Sequence, residues 1–341
     1  MELSVIGMDI AKNVFQLHCV DRQTGEIERI KLRRNEVLPY FARRTPALVA
    51  MEACGGAHWW ARQLQQLGHT VRLLPAKAVR PFVLRNKTDA ADARAIWTAV
   101  QQPEMKTVAI KTEYQQSILA LHRMRAQLLK FRHMQTNAIR GLLLEFGHPL
   151  PESYLALRKA FPTVMATLDK QLPGILIETM REQWARVQSL DNEIALIEGR
   201  LKRALAETPT CQMISDIPGV GLMTATAAVA TMGDPASFKT GREFAAWLGL
   251  VPRQTGTGGR IRQLGISKRG DAYLRTLLMH DARAIIARRT YSDWVAGLIA
   301  RRPYSVVIAA IANQLARTIW AALPLANVRR GSVCRCYLSD P

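Results

Sequence analysis

The stretch SVIGMDIAKNVFQLHCVD, Ser4–Asp21, decides the fold. Apolar and β-branched residues begin in SVIGMD, which carries an acid at Asp9, and continue through NVFQLHCVD, after which Asp21 to Gly25 supplies a turn. Two antiparallel strands fit this pattern, with EIERIKLRR as a third. Working outward, a helix is expected around Val37 to Arg44, followed by ALVAMEACG, a short buried strand ending near Glu52. GAHWWARQLQQLGH then reads as a helix and TVRLLPA as a further strand. Three strands followed by alternating helices and strands predict an α/β domain with a mixed sheet. Carboxylates fall repeatedly at its strand ends, the edge where open α/β sheets bind ligands.

NKTDAADARAI sets Asp89 and Asp92 three positions apart in an alanine-rich helical stretch. Residues so spaced share one helix face, with Cβ atoms roughly 5–6 Å apart, close enough to share a cation. The competing reading is local: acids in a first turn are stabilised by unpaired N–H groups and the helix dipole, with Thr88 or Asp89 as N-cap. Both readings stand on these residues alone.

The 341 residues suggest two or three domains with ample apolar content for their cores. No apolar run reaches the roughly 18–20 residues of a membrane span, and MELSVIGMDIAKNVF has no basic segment before a long apolar core. No membrane partner is expected, and the cytoplasm is the default location. Cys19, Cys54, Cys211, Cys334 and Cys336 are scattered without zinc-site spacing, so most read as buried thiols. The net charge of +20 points to a polyanion, nucleic acid first. Lysine and arginine outnumber acids 17 to 10 over residues 1–112 and 19 to 8 over 201–341, so the excess sits at the two ends.

From Glu113 to Phe146 one long helix is expected, with Ile118, Leu121, Leu128, Phe131 and Ile139 at helical spacing. A second runs from Ile175 to about Ala206 with Trp184, Val187, Leu190, Ile194, Ile197 and Leu201. They read as an antiparallel helical pair or a coiled-coil dimerisation arm, against the plainer alternative of an ordinary helical hairpin within one chain. IPGVG, between apolar helices, looks like a helix-hairpin-helix turn whose glycines let backbone N–H groups approach phosphate. Such turns are also common in any helical domain. VPRQTGTGGRIRQLGISKRGDAYLR interleaves Gly256, Gly258, Gly259, Gly265 and Gly270 with Arg253, Arg260, Arg262, Lys268, Arg269 and Arg275. It reads as a basic glycine-rich loop gripping phosphates, against the plainer alternative of a solvated loop.

Asp9, Glu52, Asp89 and Asp92 thus form a candidate set of four acids. Divalent-metal nucleases need such a set, and hard oxygen ligands select Mg²⁺ or Mn²⁺. Taken in order, GMDIAKNVFQLHCVD, MEACGGAHWWARQL, NKTDAADARAI, IPGVGLMTA, FAAWLGLVPRQ and GISKRGDAYLRTLL resemble the insertion-sequence-one-ten family of DEDD transposases, its one-one-one-one subgroup above all. The likeness spans almost the whole chain.

This resemblance implies a RuvC-like, ribonuclease-H-like domain over 1–112, a helical coiled-coil connector over 113–207 and a mainly helical C-terminal transposase domain over 208–341. Its matching motifs make Asp9, Glu52, Asp89 and Asp92 the DEDD metal ligands. It further implies a recombinase that exchanges strands of donor and target DNA, directed by a guide RNA encoded by the element, and that works as a dimer of dimers. Sequence would then be read by base pairing rather than by the protein.

The resemblance implies a C-terminal serine as nucleophile, yet after LGLVPR this chain reads QTGTGG. Thr257, Thr255 and Ser267 are the candidate nucleophiles, with an N-cap or phosphate contact as the alternative for Ser267. Arg253, Arg260, Arg262, Lys268 and Arg269 are candidate nucleic-acid contacts. Trp59, Trp60 and Trp247 are left unassigned between base stacking and core. Two other functions compete: a structure-selective nuclease resembling a Holliday-junction resolvase, without covalent intermediate, and a non-enzymatic nucleic-acid scaffold.

Overall fold

The computed structural model describes residues 4–21, 24–83, 88–289 and 291–325. Cys334, Cys336, Asn86 and Lys87 lie outside the described residues. Two compact units emerge, Met1–Tyr114 with Met232–Lys239, and Gln115–Thr231 with Thr240–Pro341.

The first unit is built on five strands: β1 (Ser4–Ile10), β2 (Val14–Val20), β3 (Ile27–Arg33), β4 (Ala47–Glu52) and β5 (Thr70–Leu74). Their order is β3-β2-β1-β4-β5. β2 pairs antiparallel with both β1 and β3, while β4 runs parallel to β1 and β5 to β4, so β2 alone runs against the rest. This mixed sheet is the α/β architecture expected and fits a RuvC-like DEDD domain.

Strand alternation assigns the two faces. Ile6, Met8, Phe15, Leu17, Leu32, Val49 and Met51 point to one side, where α1 (Val37–Ala42) and α2 (Ala57–Gln66) cover them with Phe41, Trp60 and Leu64. Trp60 is core, its ring edge-on to Phe15 at 4.8 Å, whereas Trp59 keeps 38% of its surface exposed. On the other side Val5, Ala50 and Leu74 pack against α4 (Asp89–Val100), with α3 (Ala76–Val79) alongside through Val79.

The second unit opens with α5 (Glu113–Glu145), α6 (Tyr154–Leu168) and α7 (Gly174–Glu207). Arg125 pairs with Glu198, Arg132 with Asp191, and Gln135 donates to Gln183, so numbers rise along α5 as they fall along α7. The long helices therefore form an antiparallel pair within one chain. Helix α6, which the sequence pattern does not announce, caps the pair's end, where Phe161 stacks on Trp184 at 4.1 Å among Ile139, Leu143 and Met180.

Beyond the pair come α8 (Pro209–Ser215), α9 (Leu222–Met232), α10 (Gly241–Trp247), a hairpin of β6 (Pro252–Thr257) and β7 (Arg260–Ile266), then α11 (Ala272–Arg288), α12 (Asp293–Arg301) and α13 (Tyr304–Leu325). By length and composition Tyr304–Leu323 is apolar enough to cross a membrane, a length the expectation of no such span did not allow because Asn313, Gln314 and Arg317 interrupt the run. Here it is a core helix, burying Ile308, Ile311, Leu315 and Ile319 beside α10 and α11.

A buried polar link ties three of these helices. The His122 ring on α5 hydrogen-bonds the Tyr273 hydroxyl at 2.9 Å and Thr226 Oγ1 at 3.0 Å. Burial, with Arg125 nearby, pushes the imidazole pKa down to about 4, so it is neutral at physiological pH. Tyr273→Phe leaves one ring nitrogen buried without its partner. It is expected to cost about 2 kcal/mol in urea denaturation.

Candidate functional site

Glycine at position 7 is what brings the acids together. Gly7 lies on β1 under α4, and a Cβ there would stand 2.3 Å from the Ala93 carbonyl oxygen and 2.6 Å from the Trp97 nitrogen. The helix backbone therefore rests directly on the strand. Two residues on, Asp9 emerges on the same face, and the first turn of α4, which holds Asp89 and Asp92, lies just before Ala93.

Thr88 caps that turn, its hydroxyl accepting from the Ala91 N–H at 3.2 Å. The acids of NKTDAADARAI thus occupy a capped first turn, as the local reading expects, and they also converge with Asp9. Asp9, Asp89 and Asp92 each offer a carboxylate oxygen within 4.8 Å of the others. The parallel register sets Met8 opposite Met51, which brings Glu52, the last residue of β4, level with Asp9. Glu52 is outside the 4.8 Å group but near enough to act on Asp9 electrostatically. Asp9 itself is the next-to-last residue of β1 rather than a residue after it, because the pairing with β2 continues to Ile10 opposite Phe15.

Burial raises the Asp9 pKa to about 6, helped by repulsion from Asp92, Asp89 and Glu52. Clustered oxygens that repel one another in this way suit a hard divalent cation, which would relieve the repulsion. Cys54, read from the sequence only as one of the scattered thiols, is half-buried just past β4 near the acids, its pKa raised by burial and then by Glu52 and Asp9. No local motif marks it. Cys19 and Cys211 are buried, as expected of most of the thiols.

The remaining candidates lie in the second unit. The expected glycine-rich loop is a β-hairpin, because Gly258 and Gly259 both take positive φ, 57° and 79°, the geometry of a two-residue turn whose twist matches its strands. Thr257 opposes Arg260 and Thr255 opposes Arg262, so strand alternation puts these four side chains on one face. All four are exposed, as is Arg253, next to a register shift at the hairpin's start. Gly256 is sterically required, since a Cβ would come 2.4 Å from the Arg260 carbonyl.

Ser267 follows β7, half-buried, its N–H donating to the Val251 carbonyl. It does not cap α11; Asp271 does, accepting from the Leu274 N–H. Lys268 and Arg269 are exposed at the hairpin base. Arg275 instead turns inward and donates to the Leu248 and Arg269 carbonyls, bracing that base. IPGVG joins α8 to α9 with Gly219 at φ 91° under Ile285. Trp247 stacks on Phe244 at 6.0 Å.

A family model described as "Transposase IS116/IS110/IS902 family" matches residues 211–296, and the "Transposase" model for DEDD transposases of the IS110 kind matches residues 6–148. The chain is 46% identical over 329 residues to a "Probable family 20 transposase" of Pseudomonas aeruginosa, covering 95% of this chain and 97% of that protein. It is 40% identical to the "Transposase for insertion sequence element IS1328" of Yersinia enterocolitica, over 93% of this chain and 96% of the relative. Against the "Transposase for insertion sequence element IS1111A" of Coxiella burnetii the identity is 36%, covering 94% and 90%.

Proposed function

Because the chain belongs to the IS110 family of transposases, enzymes that cut and recombine DNA, we propose that it exchanges strands between donor and target DNA under the direction of an element-encoded guide RNA. The observation that carries the strand-cutting part of this reading is the convergence of Asp9, Asp89 and Asp92 within 4.8 Å, with Glu52 alongside; the guide RNA rests on the family resemblance alone. DEDD transposases imply a divalent metal, and an all-carboxylate donor set favours Mg²⁺ or Mn²⁺. Bound there, such a cation supplies charge neutralisation for a phosphodiester under attack.

For the nucleophile we favour Thr257 or Thr255 over Ser267. The two threonines share an exposed face with Arg260 and Arg262, whose guanidinium groups suit a phosphate, while Ser267 is half-buried at the hairpin base. As the threonine oxygen–phosphorus bond forms, the bond from phosphorus to the leaving strand breaks. The hydroxyl proton passes to a base and the leaving oxygen gains one. A covalent protein–DNA ester conserves the bond energy for rejoining.

In this scheme Arg253, Lys268 and Arg269 extend the phosphate contacts, and IPGVG serves as a helix-hairpin-helix turn. Residues 1–112, 113–207 and 208–341 act as acid domain, connector and hydroxyl domain. Exposed Met124, Phe131 and Met134 on α5 offer an apolar face for a coiled-coil contact between copies, from which a dimer of dimers would be built.

The test incubates the protein with candidate guide RNA, donor and target DNA and Mg²⁺, then maps trapped adducts by mass spectrometry. An RNA-dependent adduct on Thr257 or Thr255 is expected. Cleaved DNA without an adduct would instead establish a resolvase-like nuclease using water.

A further inference from the structure

The sheet face that bears the acids also bears a line of cations. On β3, Arg29, Lys31 and Arg33 oppose His18, Gln16 and Val14 of β2, and Gln16 in turn opposes Asp9 of β1. Lys31, Gln16 and Asp9 thus form one row across three strands. Because Phe15, Leu17 and Leu32 fill the opposite face, the three β3 cations project on the side where α4 lies, and all three are exposed. Strand geometry spaces them about 7 Å apart and puts Lys31 about 10 Å from Asp9. Exposed Arg94 of α4 belongs to the same neighbourhood, since its charge and that of Arg29 both bear on His18.

A phosphodiester approaching four acids is repelled, and binding requires cations beside them. The one acid within this part of β3, Glu28, is engaged by Arg44 at 3.4 Å. We propose that β3 is a track for a single DNA strand, with Arg29, Lys31 and Arg33 gripping successive phosphates and leading them to the acid cluster. This rests on the reading of that cluster as the cutting site. Edge strands also carry lysine and arginine merely to block strand-to-strand aggregation. That alternative predicts altered self-association and no change in DNA binding.

The experiment uses the full chain with Arg29→Gln, Lys31→Gln and Arg33→Gln combined. Affinity for a labelled single-stranded DNA, and for RNA of the same sequence, is measured by anisotropy across a salt series. Three lost phosphate contacts should flatten the log–log salt slope for DNA by about 2. Arg29→Lys with Arg33→Lys should keep the parent slope, since a point charge suffices.

Mn²⁺ titration runs in parallel. The triple variant should bind Mn²⁺ as the parent does; a parent that binds none defeats the cutting-site reading, while the salt slope still decides the track. An unchanged DNA slope overturns the proposal, with or without self-association. So does a loss confined to RNA.

Discussion

An Asp9→Asn protein is expected to lose DNA strand cleavage by about a thousandfold or more while melting at a higher temperature than the parent in chelator at pH 8. The first effect follows if Asp9 is a metal ligand, because even partners behind the ligands are worth about 10–100-fold. The second follows from repulsion. Asp9 has its pKa raised from 3.8 to about 6, so the folded state takes up its proton more readily than the unfolded chain. The stability this brings is complete below pH 3.8 and is lost as pH rises through about 6.

Above pH 6 the ionised carboxylate costs about 1–2 kcal/mol once partial exposure is allowed for, and asparagine removes that cost. Scanning calorimetry should therefore show the variant ahead at pH 8 and level with the parent near pH 4. Adding Mg²⁺ should reverse the order at pH 8, since only the parent gains from the cation. A variant that melts lower than the parent at pH 8 in chelator would mean that Asp9 is not under repulsion, and the site reading would fall with it.

Most of the first unit was legible because its strands alternate so cleanly. Phe15, Leu17 and Cys19 mark the strand and the side that faces α1 and α2, although His18 is buried on the other side too. The acids were legible as residues through their place at strand ends and in a capped first turn. Their distance from one another was not, because it depends on how closely α4 approaches β1, which no local pattern encodes.

Elsewhere the signals misled for physical reasons. Five glycines near the hairpin look like a loop, although two of them merely make the turn and Gly256 admits the facing strand. Helix α6 carries Pro162 within it, which obscures a helical reading, yet tertiary packing of Leu157, Phe161 and Met165 holds it. By contrast, the antiparallel pairing of α5 and α7 was among the expectations from their spacing, and cross-helix pairs such as Arg132 with Asp191 bear it out.

Gly7→Ala is expected to be the most damaging single methyl addition in the first unit. The new carbon would sit 2.3 Å from the Ala93 oxygen, 2.6 Å from the Trp97 nitrogen and 2.7 Å from the Trp97 Cβ. The first two are backbone atoms of α4, so no side-chain rotation relieves the clash and the helix must lift from the sheet. Lifting it strips Ala95, Ile96 and Ala99 from Val5 and Ala50, the core between α4 and the sheet. The expected loss is about 3 kcal/mol or more in urea denaturation. The same displacement carries Asp89 and Asp92 away from Asp9, and about 1 Å of misplacement is enough for a hundredfold loss in rate. Gly141→Ala provides the opposite case: Gly141 lies inside α5 with open space around its Cβ position, so alanine there should stabilise by about 0.5–1 kcal/mol. Paired Mg²⁺-dependent thermal shifts separate folding from site geometry, because Gly7→Ala should lose the Mg²⁺ response even where it still melts cooperatively, and Gly141→Ala should keep it. A Gly7→Ala protein as stable and as responsive to Mg²⁺ as the parent would show that α4 does not rest on β1, and the convergence of the acids would lose its physical basis.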